Sequence, residues 1–218
     1  MAGRAGESVS PRYPKRPTKP QAPLTRRDSD VLVEQPGLWR VHRSVGENVL
    51  AWSALRHWGP AVTMRFDPHP PPAGIHREIG VSYAALDLAT AVVEVFQQQR
   101  VIDVAGGRPK ATSWRPTRPL HLLDLTGDWA LRNGASHSMV SGPRSTCRTW
   151  ARAIAETWPD LDGLWSQRTL TGRTNITLWT PAADSFPTNP DFSEYLDSAP
   201  LWAILREITL RYPSYRLI

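Results

Sequence analysis

Proline restricts what this chain can fold into more than any other residue, because it occupies 21 of the 218 positions. Proline has no backbone N–H donor, and it interrupts helices and central strands alike. The sequence also contains ten tryptophans, whose large side chains are suited to packing between short elements. These counts together predict many short strands and helices with aromatic packing, and they disfavour a long helical bundle.

The first thirty residues differ in composition from the rest of the chain. They contain five prolines and almost no bulky apolar side chains, and they carry seven Arg or Lys against three acids, a net +4. Such a segment buries too little apolar surface to offset its ordering entropy. We therefore expect residues 1–30 to form a disordered basic tail and residues 31–218 to form a single domain.

The charge of the chain gives limited information about its partners. Of the formal +6, the tail contributes +4, which leaves the rest of the chain near balance at +2. A basic tail can hold nucleic acid or an acidic partner, but the balanced body argues against direct nucleic-acid binding. The single cysteine, Cys147, cannot form an internal disulfide, and no run approaches the roughly 18 apolar residues of a membrane span. These features predict a cytoplasmic protein with no membrane partner.

Alternation and amphipathic spacing predict a mixture of strands and helices. We expect strands over residues 38–42, 61–66, 80–84, 120–125, 163–166 and 175–179. Helices are predicted over residues 87–99, with Asp87 as N-cap, and over residues 145–158. Residues 201–210 fit a helix or a buried strand, and their periodicity favours the helix. Because the two types of element do not alternate regularly, the pattern predicts an α+β fold.

Several enzyme classes lack their sequence signatures. No glycine-rich phosphate loop follows a predicted strand, so neither a Rossmann turn nor a P-loop is supported. The six histidines show no close metal-ligand spacing, and one cysteine cannot build a sulfur-rich zinc site. There is no Gly-x-Ser-x-Gly motif of a serine hydrolase. We therefore expect no metal site.

Two charged residues stand in apolar surroundings. Arg65 lies between Met64 and Phe66 on a predicted strand, and Glu94 lies in the most apolar stretch of the predicted helix. An unpaired carboxylate is costly to bury there, so Glu94 should face a polar cleft or meet a cation. The alternative interpretations are an ordinary surface-strand arginine and a glutamate on the exposed stripe of the helix.

A series of short motifs runs through the middle of the chain in a defined order: Trp39-Arg40, Arg65-Phe66-Asp67, Tyr83-Ala84-Ala85, Ala91-Val92-Val93-Glu94, Asp162-Gly163-Leu164-Trp165-Ser166-Gln167-Arg168 and Asn175-Ile176-Thr177-Leu178-Trp179. In this order they resemble the RES domain family, which is named for its Arg, Glu and Ser. The likeness covers about residues 37–185. It implies a fold similar to that of ADP-ribosyltransferase toxins, with a small twisted mixed sheet flanked by helices.

The resemblance also implies an activity, the cleavage of NAD by the toxin of a bacterial toxin–antitoxin pair. The antitoxin partner would carry a helix-turn-helix domain, and NAD would be a substrate, with no further cofactor. Catalytic roles would then fall to Glu94, Arg65 and Ser166. Glu94 would stabilise positive charge on the ribose, and Arg65 or Arg40 would bind the pyrophosphate. Tyr83 would stack on the nicotinamide, and Ser166 would bond a polar edge of the dinucleotide.

Three outcomes of this chemistry remain open at this point. Water as acceptor would make the protein an NAD glycohydrolase, and phosphate would make it an NAD phosphorylase. A protein side chain as acceptor would make it a protein ADP-ribosyltransferase. A function of another class, a nucleic-acid-binding module that uses the basic tail and exposed tryptophans, is the remaining alternative.

Overall fold

The computed structural model describes residues 17–136, 138–167 and 171–218. The strands within these residues are β1 Val31–Glu34, β2 Leu38–Arg43, β3 Trp58–Gly59, β4 Gly74–Ile75, β5 Val81–Ala85, β6 Val101–Ile102, β7 Pro109–Trp114, β8 Leu120–Asp124, β9 Gly163–Gln167, β10 Thr174–Trp179, β11 Phe192–Tyr195 and β12 Arg216–Leu217. The α-helices are α1 Leu88–Val95, α2 Trp129–Arg132, α3 Ser138–Ser141, α4 Arg144–Thr157 and α5 Ala199–Arg211. Short 3-10 helices cover Asp28–Asp30 and Thr180–Ser185.

Eight of the strands form one mixed sheet in the order β1-β8-β9-β10-β5-β2-β7-β11. Only β8 and β9 run parallel in this sheet, and every other neighbouring pair is antiparallel. Two further pairs, β3 with β4 and β6 with β12, stand apart from it. The α+β class with a mixed sheet and flanking helices is therefore confirmed, although the sheet is larger than the small one expected.

Strand β5 shows how the two faces of the sheet are covered, because successive strand residues point to opposite faces. Val81 packs in a cluster with α4, and Ala85 packs in a second cluster with α1 and α5. Ala84 points the other way, into a third cluster closed by Trp52 and Phe186. The helices thus share one face, and two separate apolar clusters leave a gap between them at the centre of that face.

Most of the predicted elements are present. Strands β2, β5, β8, β9 and β10 lie where strands are predicted, and α4 and α5 match their predicted helices closely. Helix α1 begins as expected after Asp87 but ends at Val95, short of residue 99. The chain reverses there because Arg100, with φ 52°, turns it into β6. Strands β1, β7 and β11 of the main sheet, and the short strands β3, β4, β6 and β12, are not among the predictions.

The strand predicted over residues 61–66 is absent, and that prediction is wrong. The N–H of Met64 donates to the carbonyl of Ala61 at 3.0 Å, which makes a turn. The N–H of Ala61 donates to the carboxylate of Asp67 at 2.8 Å instead of to a neighbouring strand. Phe66 has φ 51°, a left-handed conformation that no regular strand contains. In this segment a turn and the side-chain carboxylate of Asp67 therefore take the place of a strand partner.

The segment from residue 17 to residue 30 lies against the helices. The indole N–H of Trp150 donates to the carbonyl of Pro17 at 3.0 Å, and that of Trp129 donates to the carbonyl of Thr25 at 3.0 Å. Both indoles are buried, so these bonds satisfy donors that would otherwise be stranded. These contacts attach residues 17–30 to the helices, and residues 1–16 of the predicted tail lie outside the described part of the chain.

Helix length also bears on membrane insertion. In the described ranges, no helix is both long and apolar enough to cross a bilayer.

Candidate active site

A cavity of about 320 Å³ opens on the helix-bearing face of the sheet, in the gap between the two apolar clusters. Its walls include all five residues singled out from the sequence: Arg40, Arg65, Tyr83, Glu94 and Ser166. The volume is within the range of small-molecule pockets. Residues far apart in the chain thus meet at one place, although they do not all present their side chains to it.

Helix α1 places Glu94 at the cavity. Asp87 caps the helix, because its carboxylate accepts hydrogen bonds from the N–H and the hydroxyl of Thr90, both at 2.8 Å. Val92 and Val93 are buried and hold the helix on the sheet. Glu94, one residue further on, is half-buried at the cavity wall, where its Oε2 accepts from the side-chain amide of Gln97 at 3.3 Å.

The capping carboxylate of Asp87 is itself held in its charged form. Burial would raise its pKa, but hydrogen bonds from Thr90 and from the Arg173 guanidinium, 3.0 Å away, outweigh burial and lower the pKa. A charged Asp87 keeps its acceptor oxygens available to the first turn of α1. The cap therefore fixes the start of the helix on which Glu94 lies.

Arg65 reaches the cavity from a turn. Its Nη1 donates to the carbonyl of Gly142 and lies 3.4 Å from Sγ of Cys147, which ties the guanidinium to the start of α4. Its Nε and Nη2 groups make no hydrogen bond within the described residues. These two donors can therefore serve an anion in the cavity, in the paired geometry that guanidinium groups offer to phosphates.

Tyr83 connects the floor of the cavity to the turn that carries Arg65. The residue lies in β5, opposite Thr177 of β10, and its side chain is half-buried. Its hydroxyl donates to the backbone carbonyl of Arg65 at 2.9 Å. Tyr83 therefore supports the position of Arg65, in addition to lining the cavity.

Ser166 and Asn175 form a cross-strand pair between β9 and β10 at the cavity floor. Both residues are buried, and the Ser166 hydroxyl is 3.5 Å from the carbonyl of Asn175, a long distance for a hydroxyl donor. The hydroxyl is therefore weakly held. Arg168, which follows Ser166 in the sequence motif, lies outside the described residues.

The guanidinium of Arg40 lies on the other face of the sheet. Its Nη1 donates to the carbonyls of Trp52 and Ala54, at 2.8 and 3.2 Å, and to the hydroxyl of Ser82 at 3.1 Å. Ser82 and Tyr83 are consecutive strand residues, so their side chains point to opposite faces. Although Arg40 is among the residues that line the cavity, its charged group supports a loop behind the sheet.

The surroundings of Arg40 also have an electrostatic consequence. Burial, together with the nearby charge of Arg56, lowers the pKa of Arg40 to about 10. No carboxylate pairs with this guanidinium within the described residues, and three neutral oxygens satisfy it instead. The geometry favours a structural role for Arg40 over contact with a phosphate.

Other residues complete the cavity, although the sequence alone did not single them out for a role. The polar ones are Thr63, Gln97, Gln98, Arg144, Gln167, Asn175 and Thr177. Arg144 begins α4 and is exposed, so it brings a second cation to the mouth of the cavity. Asn175 and Thr177 alternate along β10. The sequence could have identified both as cavity residues, because both fall in the last motif of the family pattern. Arg144 had no signal apart from its place at a helix start.

The site also differs from a metal centre. Within the described residues there is no group of three or more His, Cys, Asp or Glu side chains placed to hold a metal ion. Among the described residues, the polar side chains that line the cavity are the Glu94 carboxylate, the arginines Arg40, Arg65 and Arg144, hydroxyls and amides.

The fold and the cavity define an α+β protein whose mixed sheet carries a polar cavity on its helix-bearing face. The RES domain family matches residues 37–199, about three quarters of the chain. The chain therefore belongs to the RES domain family, and the resemblance based on the ordered motifs is confirmed.

Comparison with solved structures finds a chain with a similar fold. The chain is similar to a chain in the crystal structure of the M. tuberculosis MbcT–MbcA toxin–antitoxin complex, with a TM-score of 0.52 and 15% sequence identity. The match covers 83% of this chain and 92% of that chain. At this identity the similarity supports the fold alone. No curated protein matches the sequence.

Proposed function

We propose that this protein is an NAD-consuming enzyme that cleaves the bond between nicotinamide and ribose. The observation that carries the proposal is the meeting of one carboxylate, Glu94, with two arginines, Arg65 and Arg144, in a single cavity of a RES domain. A carboxylate suits a ribose that develops positive charge, and arginines suit a pyrophosphate. NAD is then the substrate, and the reaction needs no additional cofactor.

The chemistry explains why one carboxylate is enough. When the bond between ribose C1′ and the nicotinamide nitrogen breaks, its electron pair stays with the nitrogen, so a cationic ring leaves as a neutral molecule. The leaving group needs no proton, unlike the alcohol released in O-glycoside hydrolysis, where two carboxylates act. Water then bonds to C1′ and loses a proton, which gives ADP-ribose. Phosphate in place of water would give ADP-ribose with a phosphate ester on the same ribose carbon.

Each cavity residue has a role in this proposal. Glu94 stabilises the oxocarbenium-like ribose and accepts hydrogen bonds from its hydroxyls. Arg65 binds the pyrophosphate through its Nε and Nη2 groups. Ser166, whose hydroxyl is weakly held, bonds a polar edge of the dinucleotide, and the ring of Tyr83 packs against the nicotinamide. Arg40 acts indirectly, through the loop that it supports.

The biological setting that fits this activity is a toxin–antitoxin pair in the bacterial cytoplasm, where NAD is found. The similar solved structure is described as a toxin–antitoxin complex, and we extend that description to this chain as a proposal. We expect the partner to be an antitoxin with a helix-turn-helix domain. Loss of NAD would be harmful to the cell, so such an enzyme needs a partner that restrains it.

The proposal is tested by incubating the purified protein with NAD, with and without phosphate, and identifying the small molecules by mass spectrometry. We expect release of nicotinamide together with ADP-ribose or its phosphate ester. Nicotinamide release with labelled ADP-ribose on a protein would instead make it a protein ADP-ribosyltransferase. A folded, partner-free sample that releases no nicotinamide would contradict the proposal.

Arg65→Ala should raise the KM for NAD about tenfold or more while changing kcat less. The reason is that a phosphate contact distant from the reacting bond contributes similar binding energy to substrate and transition state. Steady-state kinetics of nicotinamide release measure both constants. Arg115→Ala is the matched control, because Arg115 is exposed and does not line the cavity. An unchanged KM in Arg65→Ala would reassign the phosphate contact.

A further inference from the structure

Asp67 is a fully buried carboxylate two residues after the arginine of the cavity. Its side chain is 0% exposed, and it accepts hydrogen bonds from four donors. Oδ2 accepts from Nη2 of Arg56 and from the N–H of Ala61, both at 2.8 Å. Oδ1 accepts from the N–H of His69 at 3.1 Å and from its ring Nδ1 at 2.5 Å. One side chain thus fastens both ends of the turn that contains Arg65.

His69 fixes this arrangement to the rest of the protein. Its ring is also 0% exposed, and Nε2 bonds to the carbonyl of Ile79 at 2.9 Å. The backbone of Gly59 packs directly on the ring, since a Cβ added there would lie 2.5 Å from the ring atom Cγ. The ring therefore bridges Asp67 and the segment that leads into β5, and it has little freedom to move.

The backbone between Arg65 and Asp67 needs such support. Phe66 adopts φ 51°, a conformation that is uncommon for a bulky residue and persists only where its surroundings enforce it. The carbonyl of Arg65 accepts from Tyr83, and that of Phe66 faces the indole N–H of Trp179 at 3.4 Å. These contacts hold the turn from the cavity side, and Asp67 holds it from the buried side.

The charge of Asp67 is also well supported. Burial would raise its pKa, but hydrogen bonds from His69, from the N–H of Ala61 and from Arg56 outweigh burial and keep the pKa well below its usual range. The carboxylate therefore stays ionised at neutral pH, with all four of its bonds formed.

We propose that Asp67 is a positioning residue for Arg65. Its carboxylate fixes residues 61–69 in the one conformation that places the Arg65 guanidinium in the cavity. The inference rests on the proposed function, because it takes the binding of NAD phosphate to be the task of Arg65. Asp67 itself does not line the cavity and does not touch the substrate.

A double-mutant cycle tests this role. Asp67→Asn keeps the shape of the side chain but replaces one acceptor oxygen with an amide, so the turn loses bonds that it needs. We expect the KM for NAD to rise about tenfold, with kcat within about threefold of the wild type. In the Arg65→Ala background, the same change should leave KM within about twofold, because Asp67 acts through Arg65. Independent, additive effects on KM would overturn the proposal.

Asp184→Asn is the matched control. Asp184 also pairs with an arginine, Arg118 at 2.6 Å, but its side chain is 72% exposed and lies outside the cavity. The KM of Asp184→Asn for NAD should equal that of the wild type. Equal KM increases in Asp67→Asn and Asp184→Asn would mean that loss of an ion pair, and not the position of Arg65, is the cause.

A second measurement needs no NAD, and it separates this inference from the proposed function. Cys147 is the only cysteine in the sequence, is buried, and contacts Nη1 of Arg65 at 3.4 Å. We expect iodoacetamide to label Cys147 at least tenfold faster in folded Asp67→Asn than in the wild type, because the turn opens locally and the Arg65 guanidinium leaves the sulfur that it contacts. An unchanged labelling rate would overturn the proposal even in a protein that degrades NAD. If the wild type releases no nicotinamide, the proposed function fails, and labelling alone decides the positioning role.

A milder variant keeps the test decisive if Asp67→Asn does not fold. Arg56→Gln removes the one guanidinium that donates to Asp67. The hydrogen bonds that Ala61 and His69 donate to Asp67 stay in place. Faster labelling of Cys147 and a raised KM in this variant would support the proposal. Wild-type labelling and wild-type KM would overturn it.

Discussion

Glu94→Gln should lower kcat for nicotinamide release by about a hundredfold or more, the cost of removing one preorganised electrostatic group from a water-poor site. The amide has the same shape as the carboxylate but carries no negative charge, so it cannot stabilise the positive ribose. KM should change less, because the substrate ribose is uncharged before the bond breaks. Rates of nicotinamide release at saturating NAD measure the effect.

The control for this variant is Glu156→Gln. Glu156 is an exposed residue of α4 that does not line the cavity, so the same chemical change there should leave kcat unchanged. Near-normal NAD loss in Glu94→Gln would remove Glu94 from the catalytic step. A comparable fall in both variants would point to an effect on folding.

Gly163→Ala should destabilise the protein by about 3 kcal/mol or more, or prevent folding. Gly163 starts β9 with φ 156°, and a Cβ added there would lie 1.9 Å from the carbonyl oxygen of Thr177. That oxygen belongs to the backbone of β10, which cannot rotate away as a flexible side chain would. Strands β8 and β10 also flank this position on its two sides. The free energy of unfolding in urea measures the loss.

Gly37→Ala is a suitable comparison, because an added Cβ meets nothing within 4 Å and the backbone needs no positive φ. This surface change should alter the free energy of unfolding by less than about 0.5 kcal/mol. A Gly163→Ala protein as stable as Gly37→Ala would mean that β9 and β10 are packed less closely than described.

Local signals predicted those parts of the site that depend on local structure. Asp87 is a good capping residue, and the apolar spacing after it places Glu94 on a helix, as observed. The alternating patterns around Tyr83 and Ser166 also predict their strands correctly. In each case the residues that decide the conformation are near neighbours in the chain.

The rest of the site depends on contacts that no local pattern contains. Arg65 lies between apolar neighbours, as in a strand, but the carboxylate of Asp67 takes the backbone donor that a strand partner would use. Arg40 lies in a correctly predicted strand, but its guanidinium lies behind the sheet because Ser82 and two loop carbonyls bind it there. Which face of a strand meets a cavity depends on the packing of the whole sheet.

The floor of the cavity is an antiparallel pairing of β5 with β10, which joins Tyr83 to Thr177 across almost half of the chain. During synthesis the ribosome releases β5 long before β10, so no floor exists until most of the polypeptide has been made. An enzyme with this layout cannot act as a nascent chain. Under the proposed function, the cell therefore has the whole time of translation, and of the final sheet closure, in which an antitoxin can be made before any NAD is cleaved.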